Sequence, residues 1–206
     1  MIPPAMAPHP LLPAALLASV LFAGCSLKPA DPPYTAAKPP EPLTTAVWVG
    51  TGESWQRSGD GWRRTPENDY ELTVVQRRYG SHWETLKTLL RRHPDYGGTA
   101  GPRSQTLWFR VDVGEADGER VKLRVTSTLG DGEGTSDRDF RRMRVTVRAK
   151  GVPRFFPFDH YRITQDLEVE EGRLRERVDL LEMRKDGSEV PFAKIEEEAR
   201  LFRPAR

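Results

Sequence analysis

The chain has 206 residues, of which 30% are charged, yet its formal net charge is only +2. This balance leaves no overall field that would attract nucleic acid or an acidic membrane, so no nucleic-acid partner is expected. The hydrophobic content of 37% is enough for one compact core and therefore for a single domain.

The N-terminal region predicts an export signal. Residues 11–25 read LLPAALLASVLFAGC, an uncharged apolar run that ends in Ala23 and Gly24 before Cys25. This run is shorter than the roughly 20 residues of a membrane-spanning helix, but it fits a secretory signal peptide. The sequence Phe22-Ala23-Gly24-Cys25 resembles the lipobox of bacterial lipoproteins, although a branched aliphatic residue is more usual at the position of Phe22.

The resemblance implies that residues 1–24 are removed and that Cys25 is acylated, for example with palmitate. Cys25 is the only cysteine of the chain, so no internal disulfide is available and lipidation gives this residue a role. The alternative is an ordinary cysteine near a generic signal or in a buried apolar helix. Ser26 follows the cysteine, which by the sorting rule of enteric bacteria implies the outer membrane, on its periplasmic side.

Residues 25–43 are expected to form a tether, and residues 44–206 a single β-rich domain. The stretch 28–42 reads KPADPPYTAAKPPEP, in which proline fixes φ and removes amide donors. An extended chain of this kind spans about 3.1 Å per residue and holds a domain tens of ångströms from its anchor.

The domain is expected to open with a strand over 46–49 and a hairpin that turns at Asp60-Gly61. Tryptophans recur every seven residues, but the glycines between them argue against a helix. Two of them, Trp55 and Trp62, are candidates for a platform on which the sugars of peptidoglycan or another polysaccharide stack, although packing in the core is the more common use of tryptophan.

A strand is predicted over 69–79, where apolar and polar residues alternate. The following residues predict the one α-helix of the domain, over 83–92. Ser81 and Glu84 spell a capping box, and arginines precede Pro94 at the other end. A strand over 83–89 is the alternative, because the apolar run is short.

From residue 107 onward the pattern has period two. It predicts strands over 107–113, 121–126 and 142–148, an aromatic strand or edge within 154–163, and a final hairpin of 173–183 and 190–202 that turns at 185–188. The expected fold is therefore mainly β: a curved antiparallel sheet or half-open barrel, a meander of about seven to nine strands with one packed helix.

No catalytic residue, metal site or cofactor is predicted. The loop 130–139 carries carboxylates at alternate positions but lacks the spacing of a calcium-binding EF-hand, so it is interpreted as a solvated hairpin loop. The dyad Asp159-His160 matches part of a hydrolytic triad, yet neighbours on a strand point to opposite faces. The acidic pairs near 170 and 197 are expected to face arginines across neighbouring strands.

A basic surface is predicted on two of the strands if these strands pair. Its residues are Lys122, Arg124, Arg142, Arg144 and Arg148. Such a surface suits an anionic envelope polymer or an acidic protein. The alternative is a solvated face that the acidic C-terminal hairpin balances.

These expectations favour a non-catalytic binding or scaffold module of the cell envelope, with the membrane as a partner through the lipid and an envelope protein or polymer as the ligand. The alternative is a carrier of an apolar ligand or lipid, because a concave sheet with a helix loosely resembles the lipoprotein-localisation proteins in architecture. A large apolar cavity would favour the carrier, whereas a filled core with an exposed aromatic or basic patch would favour the binding module.

Overall fold

The computed structural model describes residues 43–150 and 158–202, which form an almost purely β structure. The strands are β1 (Thr44–Ser58), β2 (Gly61–Arg64), β3 (Tyr70–Arg78), β4 (His82–Arg91), β5 (Ser104–Asp117), β6 (Arg120–Ser127), β7 (Gly130–Asp137), β8 (Arg142–Ala149), β9 (Phe158–Glu170), β10 (Arg173–Arg184) and β11 (Glu189–Leu201). The single helical element in these ranges is a 3-10 turn, Pro66–Asn68.

The strands close into an antiparallel barrel. Each strand from β3 to β10 pairs with the next along the chain, and the sheet closes because β1 pairs with both β3 and β11. The closing seam runs from Trp48 opposite Leu201 to Gln56 opposite Ala193. Only β2 lies outside the ring, paired with the end of β1. Closure removes the free strand edges that an open sheet would expose.

The mainly β, antiparallel meander is confirmed, but three finer expectations are wrong. The barrel is closed and not half-open, it has ten strands in the ring plus β2, and no α-helix occurs in the described residues. One of the additional strands is β7, which lies in the stretch interpreted as a solvated hairpin loop.

The predicted helix over 83–92 is the strand β4, the alternative for this stretch. Trp83, Lys87, Leu89 and Arg91 are buried, and all four lie on one face of the strand. The sequence of β4 does not show a simple alternation of apolar and polar residues, because two of the inward residues, Lys87 and Arg91, are cationic. A buried lysine in the middle of the inward face makes the apolar residues look helically spaced.

Glycines on the inner face of β7 let the backbone of β8 approach closely. A Cβ on Gly132 would lie 2.2 Å from the carbonyl oxygen of Thr146, and one on Gly134 would lie 2.1 Å from that of Arg144. Only glycine therefore permits the backbone of β8 to approach this closely. Glycines are typical of turns, so the same residues led to the prediction of a loop over 130–139.

The core fills the inside of the barrel. Leu72, Val125 and Val147 are fully buried there. At the end of the barrel where β7 turns into β8, Phe140 adopts a positive φ of 55°. Its ring packs edge-on against Trp83, with 5.2 Å between the ring centroids. Phe140 thus helps to cover this end of the core.

Charges of opposite sign face each other on the outside of the barrel. On β10, Arg175 lies opposite Glu198 of β11 and Glu168 of β9. Arg177 likewise lies between two acidic residues of the same neighbouring strands, Glu196 and Asp166. The expected pairing with arginines is confirmed for Glu196 and Glu198, and Glu170 lies opposite Arg173. It is wrong for Glu197, which lies opposite Glu176 and is buried inside the barrel. Such cross-strand pairs favour the native register over a shifted one.

The predicted signal peptide, Cys25 and the tether lie outside the described residues, as does the first part of the predicted aromatic edge. Within the described ranges, no helix has the length and apolar character that crossing a membrane requires.

Candidate functional site

The two ends of the barrel differ in what they carry. Thr44 begins β1 at one end, which also holds the end of β11 at Leu201. β1 is the longest strand, with 15 residues, and leads to the opposite end. There it forms a short two-stranded extension with β2. We call this extension, residues 55–58 and 61–64, the ribbon.

The ribbon brings the two predicted tryptophans together. Ser58 pairs with Gly61, so the turn is Gly59-Asp60, one residue before the predicted Asp60-Gly61. Gly59 takes the positive φ, 56°, that such a turn favours. In this register Trp55 lies opposite Arg64, and Arg57 lies opposite Trp62. The rings therefore occupy diagonal positions on one face of the ribbon.

Cationic groups lie over both rings. Trp55 has the Arg64 guanidinium 4.8 Å and the Lys194 ammonium 4.6 Å from its ring centroid. Trp62 has Arg57 and Lys194 at 5.8 Å each. Trp62 remains 38% exposed, whereas Trp55 is half-buried. The contacts hold Trp55 in place and leave Trp62 as the accessible ring.

Two of these three cations already have carboxylate partners. Arg64 donates two hydrogen bonds of 2.6 Å to the carboxylate of Asp69, which raises the pKa of Arg64. Lys194 lies 3.3 Å from Glu196. Across residues 43–150 and 158–202, Arg57 has no carboxylate partner, so its guanidinium is the available positive group on this face.

The predicted basic surface is divided by an intervening strand. Lys122 and Arg124 lie on β6, whereas Arg142, Arg144 and Arg148 lie on β8, and β7 separates these strands. The condition for the basic face, direct pairing of the two strands, is therefore not met.

Acidic residues also lie beside these cations. Glu133 of β7 faces Arg124. Arg142 lies 3.0 Å from Glu168, Arg144 lies 3.6 Å from Asp166 and Arg148 lies 3.2 Å from Asp159. The result is a surface of alternating sign and not a basic patch.

Inside the barrel, sequence reasoning missed a cluster of buried ionisable groups. The ammonium of Lys87 lies 2.9 Å from Glu176 and 2.6 Å from Glu197. The side chains of Lys87, Glu176 and Glu197 are 5%, 7% and 1% exposed. Tyr70 donates its hydroxyl hydrogen to the other oxygen of Glu197. Removal of Lys87 would leave two carboxylates in the core without a cation.

The surroundings shift the pKa values of this cluster. Burial, together with the neighbouring Glu176, raises the pKa of Glu197 to about 7 even though Lys87 opposes the shift. Burial disfavours the charged form of Lys87, but the two carboxylates outweigh that effect and raise its pKa. Burial and the charge of Glu197 raise the pKa of Tyr70 well above its ordinary value. Burial and the neighbouring carboxylate thus favour the protonated form of Glu197.

The sequence did contain a signal for this cluster. Glu176 stands midway between Leu174 and Val178, and Glu197 midway between Ile195 and Ala199, at positions where the alternation points inward. A charge at an inward position of a strand predicts a buried partner, because an unpaired buried charge is too costly. What the sequence does not tell is which strand supplies the partner.

A cavity of about 80 Å³ lies beside this cluster. Lys87 and Glu176 form part of its wall, and its apolar lining includes Val74, Phe109, Val125, Met143, Val145 and Leu167. Pockets for small organic ligands usually measure roughly 300 to 1,000 Å³. The apolar part of the interior is thus mostly filled by its own side chains. A larger hollow of about 1130 Å³ is lined mainly by charged residues of β7 to β11 and β1.

The dyad Asp159-His160 does form a contact, with 2.7 Å between the carboxylate and Nδ1 of the imidazole. This hydrogen bond is the main cause of the lowered pKa of Asp159. Asp159 is exposed and also pairs with Arg148, as in a surface ion pair. No group of three or more metal-ligating side chains converges within the described ranges.

No protein-family model matches the chain, and a search of curated proteins finds none that is similar to it in sequence.

Proposed function

We propose that the chain is a lipoprotein of the outer membrane, held there by acylated Cys25, and that its barrel is a non-catalytic binding or scaffold module. In this proposal the partner binds to the outer surface of the barrel and not inside it. The partner is an envelope protein or an envelope polymer. Lipidation at Cys25 rests on the lipobox resemblance of residues 22–25.

The observation that supports binding on the outside is the filled interior. The cavity of about 80 Å³ is several times smaller than a typical ligand pocket. Its wall includes Lys87 and Glu176, whose charges are neutralised within the protein. An acyl chain in this space would have to displace packed core side chains, at a cost of several kcal/mol. A larger hollow of about 1130 Å³ is lined mainly by charged side chains, so it lacks the apolar lining that the carrier alternative requires.

Mass spectrometry of an organic extract tests this choice. The full chain is purified, the covalent N-terminal lipid is accounted for separately, and the extract is searched for non-covalently bound lipid. We expect much less than one molecule per protein. A stoichiometric, chemically uniform lipid would refute the binding module and favour the carrier.

The anchor is tested by growth with labelled fatty acid. The unaltered chain should incorporate label and fractionate with the outer membrane. Cys25→Ser should abolish the label and leave the chain unprocessed or released from the membrane. Normal labelling of this variant would refute the lipoprotein assignment.

A further inference from the structure

We propose that the outer face of the ribbon, formed by Trp55, Arg57 and Trp62 with Lys194 beside them, binds a carboxylated glycan. This inference rests on the proposed function for where the glycan is met, and on the geometry of the ribbon for the chemistry of recognition.

The position of the ribbon suits a partner that lies away from the anchoring membrane. In the proposed function the tether joins the barrel at Thr44, and the ribbon begins eleven residues further along the same strand, at Trp55. At about 3.3 Å per residue, that is roughly 35 Å from the point of attachment. The ribbon therefore lies at the end of β1 that is remote from the point of attachment.

The exposed ring supplies a stacking surface. A sugar ring presents C–H groups with partial positive charge, and these complement the negative face of an aromatic ring. Trp62 is 38% exposed and stands at the outer edge of the sheet on the short strand β2. Trp55, held between Arg64 and Lys194, supports the face beneath the ligand. An indole held in place loses little conformational entropy when it binds.

Arg57 supplies the preference for a carboxylate. Its guanidinium lies over Trp62 and has no carboxylate partner in the part of the chain that the structure describes. A guanidinium stacked on a ring keeps its N–H groups free at the edge, and its fork matches a carboxylate. The nearby cations Arg64 and Lys194 are neutralised by Asp69 and Glu196. One sugar stacked on Trp62 with its carboxylate on Arg57 would therefore satisfy both groups.

Calorimetric titration of the purified full chain in detergent micelles tests the proposal. The probes are a hyaluronan octasaccharide, in which glucuronate alternates with N-acetylglucosamine, and a neutral N-acetylglucosamine hexamer. We expect the carboxylated probe to bind more tightly. Trp62→Ala should weaken its binding at least tenfold, while Trp62→Phe should retain most of it because a ring is kept.

Two further variants separate the contributions. Arg57→Gln should weaken binding of the carboxylated probe about tenfold and leave binding of the neutral probe unchanged. Trp108→Ala is the matched control, because Trp108 is a half-buried tryptophan on the outer face of β5, away from the ribbon. The Trp108→Ala variant should bind both probes with the same affinity as the unaltered chain. Circular dichroism of each variant verifies that the barrel is folded.

Absence of binding by the carboxylated probe, or equal loss in the Trp108 and Trp62 variants, would overturn the proposal. So would Trp62-dependent binding to vesicles that contain phosphatidylglycerol, without glycan binding, because the ribbon would then recognise a membrane surface. Failure of the lipid anchor is a separate result: Cys25→Ser would still take up label, while the glycan titration would be unaffected.

Discussion

Lys87 on β4 and Glu197 on β11 form an ion pair inside the barrel, with 2.6 Å between Nζ and Oε2, although β1 and β3 lie between their strands. The pair therefore joins parts of the ring that share no backbone hydrogen bonds. Glu176 on β10 extends the connection, and Tyr70 on β3 completes it. A network of this kind is satisfied only in the closed barrel, so it favours closure over an open sheet.

The raised pKa of Glu197 predicts how stability depends on pH. Its pKa is about 7 in the folded chain and near 4.5 in the unfolded one, so the folded state holds the proton more tightly. The stabilisation from this group is fully present below pH 4.5 and is lost as the pH rises through 7. It amounts to at most about 3 kcal/mol. Urea unfolding at a series of pH values measures it.

Glu197→Gln is the control for this pH dependence. The amide oxygen can still accept a hydrogen bond from Lys87, but the side chain no longer titrates. We expect the free energy of unfolding of this variant to change less between pH 4.5 and 7.5 than that of the unaltered chain. Identical slopes for the two proteins would contradict the assignment of the proton to Glu197.

Truncation of the lysine should be strongly destabilising. Lys87→Met leaves Glu176 and Glu197 facing each other in the core without a cation, so unfolding should become easier by about 3 to 5 kcal/mol. Lys122→Met, on the exposed outer face of β6, is the matched control and should change stability by about 0.5 kcal/mol or less. If chemical denaturation gives a similar loss of unfolding free energy for both variants, the buried network does not stabilise the fold more than a surface lysine does.

The inward glycines of β7 should not tolerate a side chain. Gly134→Ala would place a Cβ 2.1 Å from the carbonyl oxygen of Arg144, so β7 and β8 would have to separate. We expect a loss of about 1 to 3 kcal/mol or more in thermal or urea unfolding. Gly80→Ala is the comparison, since its Cβ would meet no atom within 4 Å. A neutral effect of Gly134→Ala would refute the close approach of the two strands.

The charge pairs on the outer face predict a result that depends on salt. Arg175→Glu would place like charges opposite Glu168 and Glu198 and should cost about 1 kcal/mol at low ionic strength. Addition of Glu198→Arg should restore roughly half of that loss, because one of the two cross-strand pairs is then re-formed in reverse. Both effects should shrink in 1 M salt. A loss that the second substitution leaves unchanged would mean that the pairs do not interact.

The sequence alone determined most of the strands and one of the hairpin turns. Strands β3, β5, β6, β8, β10 and β11 were predicted because their inward residues are apolar and alternate with charged ones, as in the run from Val121 to Val125. Asp186-Gly187 likewise marked the final turn, where Gly187 has a φ of 84°. These features depend on near neighbours in the chain, and local patterns report them well.

Only the tertiary structure decided that the sheet closes and what closure brings together. Lys87, Glu176 and Glu197 are far apart in sequence, and their pairing depends on the register of the whole ring. Their inward charges, like the inward glycines of β7, broke the local pattern and led to a helix over 83–92 and a loop over 130–139. The ribbon tryptophans were recognised as candidates, but Lys194 joins them only because β11 pairs with β1. Long-range pairing of this kind leaves no periodic trace in the sequence.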